Sequence, residues 1–185
     1  MLVLGIDPGS ETTGWGLVEG DARRYRLVEY GTLKASPRAR FPARLLKIYE
    51  GLEALIARVR PEVCAVEEVF FAVNAKTALK LGQVRGVVLL AVERAGVEIA
   101  EYAPRLVKQT VVGYGAAEKH QVQEMVRVLL AQTARPTPFD ASDALALAIC
   151  HLHHAGLVAR RAATPPARAR LEALLSANPR RRAPR

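Results

Sequence analysis

Short apolar runs and a longer segment with helical spacing divide the first third of the chain. Apolar or mixed runs over residues 2–6, 13–18 and 25–34 predict three consecutive β-strands. Residues 41–61 then place apolar side chains three or four positions apart, which predicts an amphipathic helix that ends at Pro61. This order predicts a sheet with a helix packed on it.

The remaining pattern alternates strands and helices. It predicts strands over 62–70 and 97–103, and helices over 75–95, 118–131 and 141–155. The order βββαβαβαα indicates a mixed α/β fold, in which an antiparallel meander is extended by parallel strands and flanked by helices. The prediction is therefore one five-stranded mixed sheet.

The end of the chain differs in composition from the rest. After His154 the sequence is rich in Ala, Arg and Pro, so we expect one domain over residues 1–156 and a basic, disordered tail over 157–185. Residues 160–185 contain eight arginines and one acid, which supply most of the net charge of +9. Such a tail binds polyanions by counterion release, and a tail that only aids solubility is the alternative.

Composition also limits the compartment in which the protein works. The chain has 185 residues, half of them hydrophobic, and no run approaches the ~20 apolar residues of a membrane helix. The start, "MLVLGID", lacks the basic flank of a secretory signal. Cys64 and Cys150 lie among apolar neighbours, away from any zinc-site spacing. We expect a soluble, cytoplasmic protein with reduced cysteines and no membrane contact.

Acidic residues mark the ends of several predicted elements. Asp7 ends the first apolar run in "LGIDPGS", Glu67 and Glu68 come late in the fourth strand, and Asp140 and Asp143 open the last helix. The last two lie three positions apart, so they share one helix face with Cβ atoms ~5–6 Å apart. The apolar residues that follow predict a buried, rigid helix. We therefore expect these carboxylates to converge on one cleft.

Such a cluster offers oxygen donors only, which hard cations such as Mg²⁺ and Mn²⁺ prefer. Two of these ions ~3.5–4 Å apart activate a water and stabilise the leaving oxygen in phosphodiester hydrolysis. Each acid also has a local explanation: Asp7 begins a turn, Asp140 caps a helix, and one strand glutamate faces solvent. The strand pattern leaves open whether Glu67 or Glu68 faces the cleft.

Basic and aromatic residues flank these acids. Lys108 and Lys119 stand near predicted helix starts, where they would hold phosphates, and solvated surface lysines are the alternative. Phe70 and Phe71 follow the strand glutamates, where an exposed ring would stack on bases and a buried ring would only pack. The histidines of "HLHH", 151–154, are better explained by the buried helix than by zinc.

Four segments of the chain, within residues 1–155, resemble motifs of the RuvC family of bacterial Holliday junction resolvases. In order they are "GIDPGSETTGWG", "VEEVFFAVNAKTALKLGQVRG", "RLVKQTVVGYGAAEKHQVQEMV" and "DASDALALAICH". The resemblance implies an RNase H-like fold and a homodimer that uses Mg²⁺, with Mn²⁺ as substitute. It implies paired symmetric nicks in four-way junction DNA during recombination and repair, and makes the RuvAB branch-migration complex a candidate partner.

The same resemblance implies roles for individual residues. It selects Glu67 over Glu68, because the family's acid precedes a variable position and a Val-Phe pair. The catalytic, metal-binding carboxylates that it implies are Asp7, Glu67, Asp140 and Asp143. The DNA-binding residues that it implies are Phe70, Lys108 and Lys119.

Two positions depart from the family pattern. Glu68 stands where many relatives have a neutral amide, and Val73 stands where a basic residue is common, so both reduce positive potential near the site. Gly82 and Gly86 lie four apart on one predicted helix and permit close backbone approach. We expect a homodimer seam there, because a two-fold enzyme matches a two-fold junction.

Two other functions compete with this interpretation. The N-terminal segment also resembles the first phosphate loop of actin-like and sugar-kinase ATPases, but the chain has no second glycine-rich loop and no second lobe. A non-catalytic junction-binding protein is the other alternative. The four acids that match the family's catalytic positions argue against it.

Overall fold

Five strands and five helices make up the part of the chain that is described, residues 1–68 and 74–163 of a computed structural model. The strands are β1 (Leu2–Asp7), β2 (Thr12–Gly20), β3 (Tyr25–Lys34), β4 (Val63–Glu67) and β5 (Glu98–Tyr102). The helices are α1 (Phe41–Val59), α2 (Ala75–Arg94), α3 (Pro104–Val112), α4 (Lys119–Leu129) and α5 (Phe139–Ala163).

The strands form one sheet in the order β3-β2-β1-β4-β5. The pairs β1–β2 and β2–β3 are antiparallel, whereas β1–β4 and β4–β5 are parallel. The predicted five-stranded mixed sheet is thus confirmed. Because β1 and β4 are parallel neighbours at its centre, their carboxyl ends meet at one edge of the sheet.

Helices cover both faces of this sheet. On β1, Leu4 and Ile6 pack into a core with α1 and α2, whereas Val3 packs into a second core with α3, α4 and α5. This alternation is the period of two expected for a strand that is buried on both sides. The residue after Ile6 therefore points toward the α5 face.

The largest differences from the predicted helices are at α3 and α5. For helix α3 the sequence indicated only a helix start near Lys108 and gave no bounds; the helix has nine residues, begins at a proline and ends before Gly113, which has a positive φ of 98°. Its run of β-branched residues favours strands, so packing rather than propensity decides its form. Helix α5 continues to Ala163, whereas the pattern predicted an end near residue 155.

The inner strands approach α5 closely because glycines face it. A Cβ atom at Gly5 would lie 1.8 Å from the carbonyl oxygen of Ala144, and one at Gly14 would lie 2.0 Å from that of Asp140. Glycine inside a strand marks such close backbone approach. The contact fixes the height of α5 above β1 and β2.

Both cysteines are free and buried, as predicted, and burial raises the pKa of each thiol, to about 12 for Cys64 and about 11 for Cys150. They are inert packing residues. Among the helices of the described residues, none is long and apolar enough to cross a membrane.

Two histidines of α5 link the stability of the fold to pH. The Tyr102 hydroxyl lies 2.9 Å from Nδ1 of the buried His151, and Thr110 Oγ1 lies 3.1 Å from Nε2 of His154. Burial lowers the pKa of both imidazoles below the ordinary value of 6.5. Since the folded state disfavours the protonated rings, their contribution to stability is complete above pH 6.5 and decreases as the pH falls through the lowered pKa values.

We therefore expect His151→Gln to flatten the dependence of the melting temperature on pH between 7.5 and 5. The comparison is the difference between variant and wild type at each pH, measured in EDTA, because carboxylates that titrate in the same range contribute equally to both proteins. If the variant lost stability with falling pH as steeply as the wild type, His151 would not contribute to the pH dependence of stability.

Candidate active site

The first two acids of the site come from the ends of β1 and β4. Ile6 pairs with Val66 in parallel register, so the next residues, Asp7 and Glu67, lie side by side at the carboxyl edge of the sheet. Ile6 and Val66 both pack toward α1 and α2. Strand alternation therefore turns Asp7 and Glu67 toward the opposite face, where α5 begins.

Helix α5 brings the second pair of acids to the same edge. Gly14 pairs with Asp7 across β1 and β2, and the backbone of Asp140 lies directly on Gly14. One turn of helix places Asp143 next along the same face, over the strand ends. The residues between and behind these acids, Ala141, Ser142 and Ala144, are fully buried and hold that turn in place.

The acids line a cleft that has two connected branches. A branch of about 280 Å³, here the lysine branch, is lined by Lys108, Lys119 and Asp143. A branch of about 620 Å³, here the arginine branch, is lined by acids and by Arg105, and includes Asp140. Asp7 and Glu67 line both branches, so they lie where the two meet.

The electrostatics of the cleft reflect crowded negative charge. Burial raises the pKa of Asp7 well above its usual range, and Glu67, Asp143 and Asp140 raise it further. Burial also raises the pKa of Glu67 and of Asp143. Without a compensating cation, ionised acids in this cleft are disfavoured by desolvation and by mutual repulsion.

Lysines supply the opposing charge in the lysine branch. Lys119, at the start of α4, places its Nζ 3.9 Å from Oδ2 of Asp143, and Lys108 projects from α3. Both lysines act to lower the pKa of Asp143 and Glu67 and so partly offset burial. The two sequence-predicted lysines therefore share the cleft with the acids.

The donor set has the chemistry that a hard divalent cation requires. Five carboxylates line the cleft, with no histidine or cysteine among its described lining residues, and crowding makes a positive ion favourable there. As the side chains of the described residues lie, however, no group of three or more Asp, Glu, His or Cys is arranged to hold a metal ion. The acids have the donor chemistry and the location that such an ion requires, but their side chains are not arranged around a single coordination site.

The remaining sequence-predicted residues have different outcomes. Glu68 also lines the arginine branch but not the lysine branch, whereas Glu67 lines both, which favours Glu67 at the centre of the cleft. Phe70, Phe71 and Val73 lie outside the described residues.

Sequence reasoning missed two contributors to the cleft. Arg105 is one, and only the fold shows that the first turn of α3 borders the acids. Gly14 is the other, and it did leave a signal. It is a glycine within a predicted strand of "TTGWGLV", a position where glycine normally indicates close packing.

Comparison with known proteins identifies the family. Residues 3–151 match the family model described as crossover junction endodeoxyribonuclease RuvC. The crossover junction endodeoxyribonuclease RuvC of Chloroflexus aurantiacus is 51% identical over 160 residues, which cover 86% of this chain and 98% of that protein. The chain belongs to the RuvC family. Its enzyme class is therefore endodeoxyribonuclease.

Solved structures agree with this family and with its fold. The structure of T. thermophilus RuvC in complex with Holliday junction substrate matches with a TM-score of 0.80 and 39% identity, over 85% of this chain and 96% of that one. The yeast mitochondrial Holliday junction resolvase Ydc2 shares the fold alone, with a TM-score of 0.59 and 13% identity, over 86% and 85% of the two chains. The RNase H-like fold predicted from the RuvC resemblance is confirmed.

Proposed function

We propose that this RuvC-family chain resolves four-way Holliday junctions by paired symmetric nicks, with Asp7, Glu67, Asp140 and Asp143 as its catalytic carboxylates. The observation that carries the proposal is the meeting of the two cleft branches at Asp7 and Glu67, where carboxylates and lysines line the same cleft. A phosphodiester at that point contacts both the groups that bind cations and the groups that bind phosphate.

The four carboxylates would hold the metal, Mg²⁺ with Mn²⁺ as substitute. When bound, the ion lowers the pKa of a water and stabilises the leaving oxygen. The residues of the chain do the remaining work. Lys108 and Lys119 attract the scissile phosphate and offset its charge, and the buried first turn of α5 keeps Asp140 and Asp143 in register with the strand ends.

The experiment is cleavage of a synthetic four-way junction. We expect two symmetric nicks with Mg²⁺, no cleavage with EDTA, and little cleavage of a linear duplex of the same sequence. Binding without nicks under every divalent cation tested would support the non-catalytic alternative. ATP binding measured by calorimetry, with no junction cleavage, would support the ATPase alternative.

We further propose that the protein acts as a homodimer through the outer face of α2. Leu79, Gly82, Gly86 and Leu90 are exposed and follow one another at helical spacing on that face. A Cβ atom at either glycine would meet no heavy atom within 4 Å, so a second backbone has room to approach. An exposed stripe of leucine and glycine is suited to a two-fold helix pair.

Leu90→Lys is expected to convert the dimer to a monomer and to uncouple the two nicks, because a charge replaces the apolar contact at the seam. Sedimentation velocity measures the mass, and a supercoiled cruciform plasmid separates single from paired nicks. Leu46→Lys is the matched control, since Leu46 on α1 is 56% exposed and Leu90 is 59% exposed. A dimeric Leu90→Lys protein with paired nicks would contradict the proposed seam.

Three further proposals rest on the family resemblance or on charge, without a structural contact. RuvAB is a proposed partner, and the cytoplasm is the proposed location. The division into a domain over 1–156 and a tail over 157–185 is also a proposal, in which the eight arginines after residue 159 add affinity for DNA without sequence preference.

A further inference from the structure

The arginine branch of the cleft combines strong negative charge with one neighbouring cation. Asp7, Glu67, Glu68 and Asp140 line it, and Arg105 is the basic side chain among its described lining residues. Leu81, Ala103 and Pro104 provide an apolar wall. A DNA strand that left the reaction centre through this branch would pass both the carboxylates and Arg105.

The side chain of Arg105 passes close to the turn between α3 and α4. It lies in the first turn of α3, and a Cβ atom at Gly115 would be 2.4 Å from its Cγ and 3.0 Å from its Nε. The absence of a side chain at Gly115 therefore makes room for the stem of Arg105. The turn is itself anchored, because the Tyr114 hydroxyl donates to Oε1 of Gln121 at 2.7 Å.

The guanidinium of Arg105 is available for a ligand. Among the described residues it has no carboxylate within ion-pair distance, although Glu67 and Glu68 line the same branch. Some exposed arginines are paired, as Arg58 is with Glu29 and Arg26 is with Glu19. Others, such as Arg23, have no ion pair among the described residues, and Arg105 differs from Arg23 because it lines the cleft. An unpaired guanidinium beside an acidic cleft is suited to bidentate contact with an incoming phosphate.

We propose that Arg105 is a phosphate-binding residue that holds the DNA backbone next to the scissile phosphate. Gly115 positions Arg105 for this contact, because it leaves room for the stem of the arginine side chain. This inference rests on the proposed nuclease function and adds a residue to its substrate path. Lys108 and Lys119 serve the lysine branch, so the scissile phosphate, at the meeting point, lies between two basic contacts. Arg105 also adds positive charge to the branch that Glu68, the extra acid, lines.

The test compares binding of a labelled four-way junction in EDTA, so that no cleavage occurs, at several salt concentrations. We expect Arg105→Gln to weaken Kd about tenfold, the amount associated with one charged hydrogen-bond contact. The slope of log K against log salt should become shallower by about 0.9, the value for one phosphate contact. Arg105→Lys should recover part of the affinity, because it keeps the charge but not the bidentate geometry.

Arg23→Gln is the matched control. Arg23 is also exposed and lies in the β2–β3 turn, at the end of β2 opposite Asp7. Its loss should leave Kd within about twofold and the salt slope unchanged, since a distant exposed charge is largely screened. The cleavage rate at saturating enzyme with Mg²⁺ should also stay within about twofold of wild type for Arg23→Gln, because Arg23 lies far from the cleft.

A double-mutant cycle tests whether Gly115 positions Arg105. Gly115→Ala should weaken binding in wild type but add no further loss to Arg105→Gln, since both changes remove the same contact. Equal effects of Arg105→Gln and Arg23→Gln would overturn the role of Arg105, as would an unchanged Kd with a slower saturated rate. If Gly115→Ala weakened binding additively with Arg105→Gln, Gly115 would not act through Arg105. Failure of the wild type to bind and cut junctions would instead refute the proposed function.

Discussion

Replacing Asp7 by Asn is expected to reduce junction cleavage roughly a thousandfold, because several kcal/mol of transition-state stabilisation depend on the carboxylates that hold the metal. Junction binding in EDTA should stay at or slightly above the wild-type level, since Asn keeps the shape and removes one negative charge from the cleft. Single-turnover cleavage and equilibrium binding measure the two effects separately.

The same substitution should stabilise the metal-free protein. Burial and three neighbouring acids raise the pKa of Asp7, so the ionised carboxylate opposes folding at neutral pH. The contribution of Asp7 to folding stability is complete below its ordinary pKa of 3.8, where the carboxyl is protonated. This contribution is lost as the pH rises through the raised pKa of the folded state. The melting temperature in EDTA should therefore rise at pH 7, by about 2–4 °C per kcal/mol of repulsion removed, and the gain should vanish near pH 4.

Asp21→Asn is the matched control for this result. Asp21 is an exposed acid in the β2–β3 turn whose pKa is lowered because it accepts backbone N–H groups of Arg23 and Arg24. Its replacement should lower stability at pH 7 and leave cleavage unchanged. A cleavage-competent Asp7→Asn protein would reject Asp7 as a metal ligand, and a variant no more stable than wild type would reject the repulsion between the acids.

Gly14→Ala is expected to cost about 1–3 kcal/mol of stability and to lower cleavage at least about a hundredfold. The new methyl group would lie 2.0 Å from the carbonyl oxygen of Asp140, and this backbone atom cannot rotate away as a side chain would. The start of α5 must move, and Asp140 and Asp143 move with it. Junction binding by the lysines should change much less than the cleavage rate.

Denaturant unfolding and single-turnover cleavage measure the two parts of this prediction. Gly51→Ala, on α1, is the control. Its added methyl group would meet only the flexible end of the Leu33 side chain, at 3.1 Å. We expect cleavage by that variant within about twofold of wild type. A Gly14→Ala protein with wild-type rate and stability would show that α5 does not depend on this contact for its position.

Much of the fold could be predicted from local patterns. Short apolar or mixed runs located all five strands, and helical spacing located four of the five helices of the described chain, because burial of strands and helix faces imposes these patterns directly. The bounds of helix α3 escaped prediction, since its β-branched residues favour a strand and its helical form depends on packing of Val107 and Val111 against α5. Lys108 and Arg105 both lie on that helix.

Residue identity by itself determined the chemistry that this protein can perform: oxygen donors at element ends, lysines beside them, and family motifs in order. Tertiary structure alone decided which of those groups meet. Parallel pairing of β1 with β4 brings Asp7 beside Glu67, and the glycine contact sets α5 at the height where Asp143 faces Lys119. Side-chain type is local, whereas distances between residues far apart in sequence depend on packing, which no short stretch of sequence contains.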